Sequence, residues 1–168
     1  HFFLVLARPY IMDRLLAFLD PSRDPLGSSY QIQQSLIAIG SGEWFGRGFG
    51  QSIQKFNYLP EPVGDSIFAV TAEEFGFIGS VIIISLFLAL ALRGFSIASR
   101  APDYFSGLVI VGIVILIVSQ SFINIASMLG VFPLTGLPLL FISHGGSALF
   151  FALISVGVIL GISRYARK

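Results

Sequence analysis

The sequence predicts an all-α fold, a polytopic helical membrane protein, and three observations carry that expectation. Hydrophobic residues make up 55% of the 168 positions and charged residues only 11%, where a soluble globular domain has about 25% charged. Uncharged runs are long enough to cross a bilayer, which takes about 20 mostly apolar residues. Eighteen residues from Phe75 to Leu92 carry no charge, and no Asp, Glu, Lys or Arg lies between Tyr104 and Ser163. Those runs also lack the period-2 alternation that a membrane barrel requires. The expected architecture is about three complete transmembrane helices plus the end of a fourth, with a large structured extracytoplasmic loop, all within one membrane domain.

The elements follow in chain order. Residues 1–7 open on an apolar run already under way, so they read as the end of a truncated span in a piece of a longer protein. Residues 8–65 form the loop. Within it Tyr10–Leu19 places Ile11, Leu15, Phe18 and Leu19 on one helical face, as in a helix lying on a membrane. Asp20-Pro21 and Asp24-Pro25 mark turns. Tyr30–Ile39 reads as a short helix with Ile32, Leu36 and Ile39 on one side, and Gly40, Gly42, Gly46, Gly48 and Gly50 then make a tight irregular stretch. The spans are expected at 66–92, 104–129 and 145–164. Gly130, Pro133, Gly136 and Pro138 cut the long uncharged block between the last two. The 93–103 connection carries Arg93 and Arg100 and the tail carries Arg164, Arg167 and Lys168, while 130–144 has no Lys or Arg. The positive-inside rule then puts 93–103 and the tail in the cytoplasm, and 130–144 and 8–65 outside.

Composition excludes several functions. A net charge of +1 excludes a nucleic-acid-binding surface. With no Cys there is no disulfide, thiolate metal site or Cys nucleophile, and two His are too few for a metal cluster, so no metal ligand is assigned. Gly46-Arg47-Gly48-Phe49-Gly50 is not G-x-G-x-x-G and follows no strand, so its glycines read as turn formers rather than a nucleotide loop. Its amides remain able to meet an anion.

The polar residues in and beside the spans are the chemical candidates. Asp65 stands where the loop enters a span, as a helix N-cap or as a functional carboxylate. Glu73 and Glu74 lie eight and nine residues further on, about 12–13 Å along a continuous helix. At that depth a carboxylate needs a cavity or a partner, expected in a helix outside this chain. Gln120 and Asn124 are an i,i+4 polar pair suited to inter-helix hydrogen bonds. Gly157 and Gly161 form a G-x-x-x-G, a pattern of close helix packing. Pro133–Ser147, with Ser143, His144 and Ser147, reads as a re-entrant loop lining a cavity. On these grounds the chain is an enzyme acting on a lipid-borne substrate, a transporter, or a scaffold.

A set of motifs resembles one family. They are Gly27-Ser28-Ser29-Tyr30-Gln31, Gln34 through Gly42, Gln51-Ser52-Ile53-Gln54-Lys55-Phe56, and Tyr58-Leu59-Pro60-Glu61-Pro62. Ala72 through Gly79, Pro133 through Pro138, Ile142 through Ser147 and Ile162-Ser163-Arg164-Tyr165 continue the series. In this order, from about Pro9 to the end, they resemble the SEDS family of FtsW, RodA and SpoVE. Ser-Ile-Gln-Lys-Phe is closer to the division and sporulation branches than to the elongation branch.

The resemblance implies the C-terminal half of a membrane domain of about ten spans, inactive by itself, in the bacterial cytoplasmic (inner) membrane. It implies a peptidoglycan glycosyltransferase that polymerises lipid II at the extracytoplasmic face during cell division, with Asp65 as the catalytic general base. Lys55, Arg47, Glu61, Ser143 and His144 would bind substrate, and Glu73, Glu74, Gln120 and Asn124 would support the site. The pyrophosphate leaving group would be met by Lys55, Arg47, residues outside this chain or a divalent cation such as Mg or Mn; no other cofactor is implied. Implied partners are lipid II, a class B penicillin-binding transpeptidase and other divisome membrane proteins. Alternatives are a lipid-linked precursor flippase and a non-catalytic divisome scaffold. The sequence departs from the family pattern twice: Val63-Gly64 stand where His-Thr is usual, and His144 stands where Tyr is usual and would titrate near neutral pH.

Overall fold

A computed structural model describes Arg14, Phe18 and residues 27–166. The readings made for 1–7, for most of Tyr10–Leu19 and for the two Asp-Pro turns lie outside the described residues, although Arg14 and Phe18 are themselves helical. Five helices follow: α1 Ser28–Ser41, α2 Gln54–Asn57, α3 Ile67–Ala98, α4 Tyr104–Met128 and α5 Gly146–Ser163. No strand occurs among the described residues. Three helices, α3, α4 and α5, are long and apolar enough to cross a membrane. α3 runs six residues past the expected end at 92 and takes Arg93 into its last turns. Asp103 caps α4 by accepting from the Ser106 amide at 2.8 Å and the Ser106 hydroxyl at 2.7 Å, which satisfies an end that an apolar helix cannot satisfy alone.

α3 is buried all round in its first turns and along one face, Phe87, Ala91 and Gly94, beyond Gly76. Phe68, Phe87, Ile125, Met128, Leu134 and Leu139 form a buried cluster that joins α3, the end of α4 and the 129–145 connection. Ala38 of α1 packs with Leu59, Ala69 and Val70 at the start of α3. Ala91, Ile110, Val114 and Ile159 join the far ends of α3, α4 and α5. α5 buries only Ala152 and Ile159. A Cβ on Gly157 or Gly161 would meet nothing within 4 Å, so the G-x-x-x-G is not a close-packed seam among the described residues.

α3 is not continuous. Gly76 has φ 68° and ψ −163°, a conformation that only glycine adopts cheaply. In an unbroken helix the amides of Phe77 and Ile78 would donate to the carbonyls of Glu73 and Glu74. Here they donate instead to Glu43 O at 2.8 Å and Trp44 O at 3.3 Å, while the freed carbonyls of Glu73 and Glu74 accept from the amides of Arg47 at 2.9 Å and Gly48 at 3.0 Å. The 43–48 turn is thus spliced into the helix and takes up both amides and both carbonyls of those two bonds. The approach is close enough to demand glycine on both sides. A Cβ on Gly76 would come within 2.7 Å of Trp44 C and 2.8 Å of Gly42 O, and one on Gly46 would run into the carbonyl of Glu74. The glycine-rich stretch therefore presents the amides of Arg47 and Gly48 to helix carbonyls, while the Gly50 amide meets the Glu74 carboxylate.

Candidate functional site

Two polar corners flank the first turns of α3. At the first, the turn 61–66 delivers Asp65. Glu61 adopts φ 46°, and its carbonyl accepts from the amides of Gly64 at 3.1 Å and Ser66 at 3.3 Å. Ser66 is the residue that enters the helix. It is fully buried, donates to Pro60 O at 2.9 Å and accepts from Gln31 of α1 at 3.0 Å. Asp65 therefore stands one residue outside the cap position, and its side chain is only partly buried.

The backbone of 63–65 is held from the opposite side of the bundle. Asn124 Nδ2 donates to Asp65 O at 2.8 Å and to Leu137 O at 2.7 Å, and Gln120 Nε2 donates to Pro138 O at 3.3 Å. The polar pair of α4 thus bonds irregular backbone rather than another helix. Ser143 Oγ donates to Gly64 O and accepts from the Leu139 amide, both at 2.8 Å. The His144 amide donates to Val63 O at 2.8 Å. The 129–145 connection is irregular throughout, as the Gly/Pro pattern predicts, and it folds back onto the segment that carries Asp65.

Arg14 completes this corner, and sequence reasoning did not single it out. Its guanidinium donates to Leu134 O at 2.9 Å. A Cβ on Gly136 would lie 3.2 Å from Arg14 Nη1 and 3.4 Å from Asp65 Oδ2, so the cation and the carboxylate flank one glycine, which has φ 68°. Burial pushes the Asp65 carboxyl above its usual range, the neighbouring Glu61 adds to that rise, and Arg14 opposes it. The signal available in the sequence was an Arg within a short apolar helical pattern, with no residue nearby to say what it faces.

The second corner has the opposite character. Glu73 is 1% exposed, and its carboxylate accepts from Ser52 Oγ at 2.5 Å and from the amides of Ile53 at 3.0 Å and Gln54 at 3.4 Å. Arg47 Nε lies 3.6 Å away. Glu74 accepts from Lys55 Nζ at 2.6 Å. The partner expected for Glu73 in a helix outside this chain is therefore present within it, in the segment 47–55. Lys55 and Arg47, expected at a substrate phosphate, are set against these two carboxylates; the cation acting on Asp65 is Arg14. Among the described residues no group of three or more His, Cys, Asp or Glu is gathered for a metal ion. Among the described residues, Glu61 is the second carboxylate that acts on Asp65.

The family model FtsW/RodA/SpoVE, described as a cell cycle protein, matches residues 1–168. The chain belongs to the FtsW/RodA/SpoVE family. It is similar to stage V sporulation protein E of Bacillus subtilis (strain 168), at 52% identity over 98% of this chain and 45% of that protein. It is also similar to a probable peptidoglycan glycosyltransferase FtsW of Geobacter sp. (strain M18), at 45% identity over 98% of this chain and 45% of the relative. The chain thus spans less than half the length of these relatives. A solved structure described as "Structural coordination of polymerization and crosslinking by a peptidoglycan synthase complex" matches with a TM-score of 0.76 and 32% identity, over 95% of this chain and 43% of that one. The two departures from the FtsW/RodA/SpoVE pattern, Val63-Gly64 and His144, lie against each other, joined by the His144 amide and the adjoining Ser143 hydroxyl.

Proposed function

We propose that this chain is part of a peptidoglycan glycosyltransferase that polymerises lipid II at the outer face of the cytoplasmic membrane, with Asp65 as general base. The observation that carries this reading is the state of Asp65. Its carboxylate is partly exposed and beside a cation, and its backbone is tied down through Val63, Gly64 and Asp65 itself. A general base needs that combination: fixed position, access to substrate and a pKa shifted toward the working pH. In the reaction Asp65 takes the proton of an acceptor sugar 4-hydroxyl as that oxygen bonds to C1 of the donor. The bond from C1 to the lipid pyrophosphate breaks on the opposite side, and the pyrophosphate leaves with the electron pair. One displacement turns an α-linked donor into a β-linked glycan, so no covalent intermediate is needed. Arg14 is the cation placed to meet charge at this corner, while Arg47 and Lys55 hold the spliced loop through Glu73 and Glu74. No step is assigned to a divalent cation. Coupling to a transpeptidase is supported by the likeness to a chain of a peptidoglycan synthase complex.

The deciding experiment is glycan-chain formation from purified lipid II by the intact protein and its Asp65→Asn variant. Chain formation by wild type and none by the variant is the expected result; near-wild-type product from Asp65→Asn would remove the general-base role. Orientation is checked with cysteines at Ser41 and Ala101. The first should react with an impermeant thiol reagent from outside and the second should not.

A further inference from the structure

The segment Glu43–Phe49 exposes three aromatic rings. Phe45 and Phe49 are each 83% exposed and Trp44 is 66% exposed. A single apolar side chain on a surface is ordinary, but these rings belong to a continuous patch. Trp44 lies edge-on against Phe77 with ring centroids 5.3 Å apart, and Phe49 lies against Phe75 at 5.9 Å. Phe75 and Phe77 are themselves exposed, and the patch continues down α3 through Ile78, Val81 and Ile82. That flank belongs to a helix long and apolar enough to span a bilayer.

The break in α3 sets the depth of the patch. Phe77–Ala98, the part beyond Gly76, contains 22 residues and rises about 33 Å at 1.5 Å per residue. A hydrocarbon core about 30 Å thick is therefore crossed by this part alone, and the spliced loop sits level with its end. Aromatic side chains collect at that level, with one edge in lipid and the other near headgroups. The backbone of the segment is equipped for such surroundings, where polar groups without partners are costly. The amides of Gly46, Arg47 and Gly48 and the carbonyls of Glu43 and Trp44 are all hydrogen-bonded, and Arg47 faces Glu73.

We infer that Glu43–Phe49 is an interfacial anchor whose partner is the lipid bilayer, with its aromatic rings seated at the boundary between headgroups and acyl chains. The loop is a membrane-embedded part of the spanning unit rather than a soluble extension. This inference is independent of the catalytic reading.

The test is depth measurement on the intact protein in phosphatidylcholine–phosphatidylglycerol vesicles. A nitroxide is placed at Phe45→Cys, with Ile82→Cys as the buried-in-lipid reference and Val63→Cys as the aqueous one; both reference positions are exposed on the protein. Collision rates are read with oxygen, which concentrates in lipid, and with a water-soluble nickel chelate. The Phe45 label is expected to give an oxygen-to-nickel ratio several-fold above that of Val63 and below that of Ile82. A ratio equal to that of Val63 overturns the inference, because the loop is then in water. Shielding from both reagents overturns it too, because protein then covers the patch. If the labelled variant does not fold, Trp44 serves instead, being the only tryptophan of the 168 residues. With tryptophans elsewhere in the intact protein changed to phenylalanine, its emission should be quenched by lipids brominated near the top of the acyl chain. Absence of that quenching overturns the inference as well.

Discussion

Asp65 and Glu73 are carboxylates eight residues apart at the same end of one helix, and the chain treats them in opposite ways. Glu73 is enclosed by a hydroxyl, two amides and an arginine. At Asp65 it is the backbone that is fixed, while the side chain stays accessible with burial and Glu61 working against its ionised form. The difference teaches how to separate a structural carboxylate from one proposed to react. Proximity to cations does not do it, since both have one. What separates them is whether the protein satisfies the side chain or only positions it.

The largest expected effect comes from exchanging the two acids for their amides side by side. Asp65→Asn should lower polymerisation by about 10²–10⁴-fold, the usual contribution of a general base, with no loss of thermal stability. The sign of the stability effect follows from the raised pKa. Stability contributed by Asp65 is present below the ordinary carboxylate range and is lost as pH rises through its elevated value, so at neutral pH the neutral Asn relieves the fold. Glu73→Gln should cost about 3–5 kcal/mol, the scale of breaking a buried pair from one side, and activity should fall only with the folded fraction. A stable, inactive Glu73→Gln protein would collapse the distinction between the corners.

A second measurement sharpens the comparison through the splice that encloses Glu73. Gly76→Ala forces a side chain into positive φ and against the 42–46 backbone, so the melting temperature should fall by several degrees. Gly112→Ala on α4 meets nothing within 4 Å and should be neutral or stabilising by up to about 1 kcal/mol. Equal behaviour of the two would mean that the break is not needed to hold the second corner.

A smaller effect is expected in the pH profile of polymerisation. Its acid limb should lie above the ordinary carboxylate range, because Asp65 must be ionised to accept a proton. Glu61→Gln should move that limb to lower pH, and Arg14→Gln should move it higher, as the signs of the two charges require. Neither substitution should change Glu73-dependent stability. The smallest effect is expected at Asp103, away from both corners. Hydrogen bonds from Ser106 hold its carboxyl below the usual range. Asp103→Ala should lower the melting temperature slightly at neutral pH, and the difference should vanish as pH falls through the carboxylate range.

The spans were legible because charge is absent over long runs, a signal that tertiary structure cannot erase. Asn124 and Gln120 were legible as polar residues that need partners in an apolar helix, although their targets, the carbonyls of Asp65, Leu137 and Pro138, were not. The break at Gly76 was hidden inside a run that satisfies every rule for an unbroken helix. Periodicity describes which face a residue presents, and it says nothing of a distant turn that takes over backbone bonds. For the same reason Glu73 was measured along a straight axis and assigned a partner outside the chain. The glycines at 42 and 46 were read as turn formers, while their close contacts are with the helix they enter.

The splice also makes a ring of the chain. The bonds from Arg47 and Gly48 to Glu73 and Glu74 close residues 49–72 into a loop pinned at its base by hydrogen bonds, and Asp65 rides on that loop. Lengthening such a loop is thermodynamically mild, about 0.6 kcal/mol for each doubling, so closure does not fix its length; Ser52, Ile53, Gln54 and Lys55 fix that arc through Glu73 and Glu74. The position of Asp65 is set separately, by the ties of Asp65 to Asn124, of Gly64 to Ser143 and of Val63 to His144. The two arcs of the ring are thereby held independently, one by the carboxylates of Glu73 and Glu74 and the other by the ties of residues 63–65.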